Sequence, residues 1–70
     1  MEKFGEKLRT LRQQHGFSQS QLSDTLGVTR THVSRMERGE KMPNVLMLLK
    51  ISNIFGVSAD LLIRDEMDLD

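Results

Sequence analysis

Apolar residues recur along this chain at helical spacing, and no stretch shows the strict alternation of a half-buried strand. Phe4, Leu8 and Leu11 stand at i, i+4 and i+7 and predict a first helix over roughly 2–14. Leu22 and Leu26 mark a second, opened by Ser18, with Gln21 three positions on to complete a capping box. Thr29 caps a third helix, whose inward positions are Val33 and Met36. Asn44 caps a fourth that runs to about Phe55, and Ser58 caps a short last one holding Leu61 and Leu62. Gly16, Gly27, Gly39 and Gly56 each follow a helical stretch, where a left-handed residue commonly ends the helix. The expectation is one all-α domain of five short helices joined by tight turns.

Only Gly27, Val28 and a cap separate the second helix from the third. So short a connection forbids antiparallel side-by-side packing and forces a steep crossing, the geometry of a helix-turn-helix. With residues set 100° apart and Val33 at zero, Met36 and Glu37 lie within about 60° of it. Arg30, Ser34, Arg38, Thr31 and Arg35 then fall together between about 60° and 200°, and none of them is an acid. A helix that enters the major groove needs such a face: Arg forks onto guanine, and Thr offers thymine both a hydroxyl and a methyl.

Composition narrows the remaining classes. Seventy residues, 37% of them apolar, make one domain with a modest core. There is no room for a sizeable pocket, no nucleophile–base–acid set and no glycine-rich phosphate loop, so an enzyme is not expected. With no Cys, disulfides, thiolate zinc sites and Cys nucleophiles are excluded, and the cytoplasm is expected, since a short secreted domain would usually need such staples. His15 and His32 lack acidic or thiolate partners at ligand spacing, so no metal and no other cofactor is expected. No apolar run nears the ~18 residues of a membrane span, and Met1–Arg9 lacks the apolar region of a signal peptide.

The formal charge is zero, ten basic against ten acidic residues, but it is unevenly spread. Residues 1–41 carry eight basic and five acidic side chains, a net +3; residues 42–70 carry two and five, a net −3. Four acids lie in the last six residues. Residues 64–70 have no cap or sustained periodicity and are expected as an acidic mobile tail or linker beyond a domain spanning 1–63.

The stretch Phe17-Ser-Gln-Ser-Gln-Leu-Ser-Asp-Thr-Leu-Gly-Val-Thr-Arg-Thr-His-Val-Ser-Arg-Met-Glu-Arg-Gly39 resembles the helix-turn-helix of the phage lambda/434 repressor and Cro proteins, the Xre-like regulators. Leu8–Gly16 before it and Lys50–Leu62 after it extend the resemblance over residues 3–63, with Ser23 and Ser52 where the family commonly has Ala and Phe55 where it often has Leu. The resemblance implies a lambda-repressor-like five-helix domain that binds double-stranded DNA, usually as a homodimer on a palindromic operator, with helix three in the major groove. It implies base contacts from Arg30, Thr31 and Arg35, with Ser34 beside them. Gln19, at the start of helix two, matches a phosphate-binding glutamine, and Arg38 and Lys41 match the backbone-binding end of helix three. His32, at about 260° on the wheel and off the main face, is grouped with the phosphate contacts. Arg12 and Glu37 resemble a structural pair joining helix one to the end of helix three.

Val45-Leu46-Met47-Leu48-Leu49 is a run of five apolar residues, more than one buried stripe can use. If Leu48, Ile51 and Phe55 face the core, Leu46 points about 160° away with Met47 on the flank, which makes both candidates for a protein interface. The leading expectation is a sequence-specific transcriptional regulator, most often a repressor in this family. The alternative is an antitoxin-like module that neutralises a partner protein, through helix four or the C-terminal end, and autoregulates its operon.

Overall fold

The computed structural model describes residues 1–69. It consists of five helices: α1 (Phe4–Gln14), α2 (Gln19–Leu26), α3 (Arg30–Glu37), α4 (Val45–Phe55) and α5 (Ala59–Ile63), with no strand among the described residues. Four of the five starts are fixed by local chemistry. Ser18, Thr29, Asn44 and Ser58 are extended, and each side chain accepts the main-chain N–H three residues on. Ser18 and Gln21 complete the reciprocal box, at 3.0 and 2.8 Å. Gly27 ends α2 at φ +74°, a left-handed turn open to glycine without strain, and so turns the chain towards Thr29 and α3.

α1 starts later than the apolar spacing suggested, at Phe4 rather than residue 2, because no local side chain caps it. Its cap comes from the far end of the chain. Asp65 accepts the N–H groups of Glu2 at 3.0 Å and Lys3 at 2.9 Å, and lies 3.4 Å from the terminal ammonium. In return, the buried Lys7 of α1 donates from Nζ to the carbonyls of Leu61 and Arg64, both at 2.6 Å, at the C-terminal end of α5. A cation there satisfies carbonyls that have no intrahelical partner and suits the helix dipole. Leu69 packs against the core as well. Within the segment expected from sequence as a tail, the Arg64 carbonyl thus meets Lys7, Asp65 meets residues 1–3 and Leu69 meets the core. Asp70 lies outside the described residues.

The core draws on every helix: Phe4, Leu8 and Leu11; Leu22 and Leu26; Val33 and Met36; Leu48, Ile51 and Phe55; and Leu62. Phe55 also takes the ring edges of His15 (4.9 Å between centroids) and Phe17 (6.0 Å). Gly5 brings α1 close to the end of α3. A Cβ there would lie 2.5 Å from the Glu37 carbonyl oxygen and 2.7 Å from that of Met36. Val33 and Met36 are fully buried, so α3 is anchored along one face and its other face is left to solvent.

Candidate nucleic-acid interface

The orientation of α3 is set at its C-terminal end. Arg12 of α1 donates to both carboxylate oxygens of Glu37, from Nε at 2.6 Å and from Nη2 at 3.1 Å, and its third donor reaches the Phe17 carbonyl at 2.9 Å. The Glu37 and Arg12 side chains are only 4% and 12% exposed, so this is a desolvated, bidentate pair. The Gln19 amide adds a bond to Glu37 at 3.3 Å. One carboxylate therefore ties together α1, the α1–α2 turn, the first residue of α2 and the end of α3. No buried side-chain polar atom among the described residues lacks a partner. The resemblance pointed to Arg12 and Glu37. The bonds to Gln19 and Phe17 could not be read from residue types, since they depend on how closely the α2 N-terminus approaches α3.

On the solvent side, Arg30, Thr31 and Arg35 are exposed and Ser34 is half-buried. Arg30, Thr31, Ser34 and Arg38 line an open groove of about 270 Å³. His32 is half-buried, with its N–H given to the Thr29 cap. At the near end of this face lies the N-terminus of α2. There the amides of Gln19 and Ser20 have no intrahelical acceptor, as in any first turn, and are available to an anion. Gln19 is half-buried with its side chain directed to Glu37, so its amide carries a structural bond as well as facing this edge.

Beyond α3, Arg38 is paired with Glu40, at 2.9 Å from Nε and 3.4 Å from Nη2, with both side chains more than half exposed. Lys41 is exposed in the same loop. The face offers guanidinium, hydroxyl and amide donors with no carboxylate among them until Glu40, which suits a polyanion with base edges between its phosphates. Among the described residues, no group of three or more His, Asp or Glu side chains has the arrangement of a metal site, and no helix is long and apolar enough to cross a membrane.

The two residues of the apolar run divide. Leu46 is 71% exposed, whereas Met47 is half-buried and packs against the core. Val45, Leu49 and Met42, which the run or its neighbourhood contains, are exposed alongside Leu46.

A helix-turn-helix family model matches residues 8–62. The SPbeta prophage-derived HTH-type transcriptional regulator YonR of Bacillus subtilis is 41% identical over 70 residues, which covers 96% of this chain and 65% of that protein. Among solved structures, the P22 c2 repressor protein in complex with a synthetic operator superposes with a TM-score of 0.83 at 32% identity, covering 90% of this chain and 96% of that one. The N-terminal DNA-binding domain of SinR from Bacillus subtilis superposes with a TM-score of 0.84 at 26% identity, covering 97% and 100%.

Proposed function

The chain belongs to the helix-turn-helix family of the phage lambda/434 repressor and Cro type, and on that premise we propose that it is a sequence-specific DNA-binding regulator of transcription that acts as a repressor. The observation that carries the reading is the acid-free outer face of α3, with Arg30, Thr31, Ser34 and Arg35 presented by a helix whose angle is fixed through Glu37. Arg30 and Arg35 read base edges in the major groove, with Thr31 and Ser34 between them. The α2 N-terminus with Gln19, the imidazole of His32, and Arg38 and Lys41 hold phosphates on either side. The protein binds as a homodimer on a palindromic site and works in the cytoplasm, on the nucleoid. No catalytic step and no cofactor form part of the reading.

The P22 c2 repressor is a protein solved on operator DNA, and YonR is named as a transcriptional regulator; both support this assignment over the antitoxin-like alternative. Selection of bound duplexes from a random pool tests it. The expected result is an enriched palindrome whose binding falls on Arg35→Ala by about 1–3 kcal/mol, the contribution of one bidentate base contact. Failure to enrich any sequence at low salt would overturn the reading, because phosphate contacts are strongest there.

A further inference from the structure

Lys7 is a charged residue buried in the fold, 5% exposed, and the DNA-binding reading gives it no contact with DNA. It lies on the side of α1 opposite the α3 contact. At 100° per residue, Gly5 and Arg12 fall within about 20° of each other, whereas Lys7 stands about 160° from Gly5. Gly5 and Arg12 both meet the end of α3: Arg12 bonds the Glu37 carboxylate, and a Cβ at Gly5 would lie 2.5 Å from the Glu37 carbonyl oxygen. On the other side, Lys7 Nζ donates to the Leu61 and Arg64 carbonyls, and Asp65 accepts the N–H groups of Glu2 and Lys3. The remainder of that side is open. Glu6, Thr10 and Gln14 line a groove of about 410 Å³ together with Lys3 and Lys7, bordered by Asp68 and Leu69. α1 is therefore gripped between the end of α3 and the end of α5.

We propose that Lys7 and Asp65 are positioning residues for DNA reading: they brace α1 from behind, keep Gly5 seated on the end of α3, and so hold α3 at the angle that base contacts require. The proposal rests on the DNA-binding reading above. Among the described residues no main-chain hydrogen bond joins Gly5 to α3, so its seating depends on what presses α1 forward. Arg12 ties α1 to α3 seven residues further on, about 10 Å along the axis. With that tie alone, α1 can tilt about the Arg12–Glu37 pair and carry its first turn away from α3. The clasp acts where the tie is lacking, since its bonds to Glu2, Lys3 and Lys7 flank Gly5 in the chain. A small rotation of α3 affects the two kinds of DNA contact unequally. Hydrogen bonds to base edges weaken steeply with angle, whereas attraction between cations and phosphates barely changes. The brace therefore governs discrimination among sequences more than affinity for DNA in general. It also makes the segment after Ile63 part of the DNA-reading unit, so that whatever draws Arg64 and Asp65 off α1 lowers specificity.

The test compares the wild-type chain with Lys7→Met and Asp65→Asn on two duplexes, one selected from a random pool with the wild type and one of random sequence. Binding is measured at a low temperature where circular dichroism shows each chain fully helical. Lys7→Met removes a positive charge and Asp65→Asn a negative one, so electrostatics alone would move their DNA affinities in opposite directions. The expected result is the same for both variants: the ratio of selected to random affinity falls by about fivefold or more. Amide resonances across Arg30–Glu37 are expected to shift in the DNA-free variants. Should Lys7→Met not fold, Asp65→Asn decides alone, since it keeps an acceptor oxygen for one of the two N–H groups. An unchanged ratio in a folded variant overturns the proposal, however far the thermal midpoint falls, and leaves the clasp a purely stabilising device. Ratios that move in opposite directions with the charge also overturn it, as do resonance shifts confined to residues 1–7 and 61–65. A wild type that prefers no selected duplex overturns the sequence-specific reading and this inference with it.

Discussion

Asp65 accepts a hydrogen bond from the main-chain N–H of Lys3 at 2.9 Å, across 62 positions of sequence, and so caps α1 from the opposite end of the chain. Its other oxygen takes the N–H of Glu2 at 3.0 Å. Lys7 answers from α1, with its ammonium on the carbonyls of Leu61 and Arg64. The two ends of the domain are thus clasped by complementary groups, an acid at the start of one helix and a cation at the end of another, each placed where the helix dipole favours it.

The clasp should show in the acid limb of stability. The N–H groups of Lys3 and then Glu2 are the main influences holding the Asp65 carboxyl below its ordinary value of 3.8. A group with a depressed folded-state pKa contributes stability that is present in full above the unfolded value and is lost as pH falls through the folded one. Asp65→Ala should therefore lower the thermal midpoint at neutral pH, and the gap to wild type should narrow below 3.8. Thermal unfolding followed across that range checks it; a gap independent of pH would remove the ionised carboxylate from the account.

Arg12 and Glu37 should behave as a coupled pair. Removing one partner leaves the other charged, buried and unanswered, at about 3–5 kcal/mol, whereas replacing both with apolar residues of similar size costs far less. Arg12→Met and Glu37→Met singly, and then together, form a double-mutant cycle read by denaturant unfolding. Costs that simply add would mean that the pair acts as two separate solvated groups. The single variants should also weaken DNA binding, since Glu37 positions both α3 and Gln19.

Gly5→Ala sets two effects against each other. Helix propensity favours Ala inside a helix by about 1 kcal/mol. Against that, the new methyl would sit 2.5 Å from the Glu37 carbonyl oxygen, a main-chain atom that cannot swing aside. Overpacking of this kind costs about 1–3 kcal/mol, so the clash outweighs the propensity gain. A net destabilisation with a shifted α3 is expected, read by unfolding and by DNA affinity. A more stable Ala variant would show that α1 can move off α3 freely.

If Arg38 holds a phosphate as proposed, Glu40 should compete with DNA for it. The exposed pair contributes at most about 1 kcal/mol to stability, so Glu40→Gln should leave unfolding almost unchanged. It also removes a negative charge 2.9 Å from a guanidinium read as phosphate-binding. Affinity for duplex DNA should rise severalfold, most at low salt. Titrations at two ionic strengths decide it: equal affinity for both proteins would place Arg38 off the phosphate track.

The local chemistry of the helices was legible because its partners are neighbours in sequence. The caps at Ser18, Thr29, Asn44 and Ser58 each reach three residues ahead, and the left-handed glycines terminate helices by their own backbone freedom. The amphipathic spacing fixed which side of α3 is buried, and with it which residues face outward. Lys7 was not legible. As a residue of a polar helix face it reads as solvated, and it is buried only because the end of α5 arrives over it. Gly5 left a weak trace, a glycine inside a helical pattern, but its reason lies in main-chain atoms more than 30 positions away. The apolar run of α4 announced a surplus, yet the core took Met47 and left Val45, Leu46 and Leu49 outside.

Sequence by itself determined the helices, the steep turn between α2 and α3 and the chemistry of the outward face, because those follow from interactions within one or two turns of helix. Tertiary structure alone decided which distant groups meet. Asp65 caps α1, Lys7 closes α5, and Glu37 gathers Arg12 and Gln19 around the end of α3. Such pairings depend on helix crossings to within an ångström, and no spacing along a chain encodes that distance.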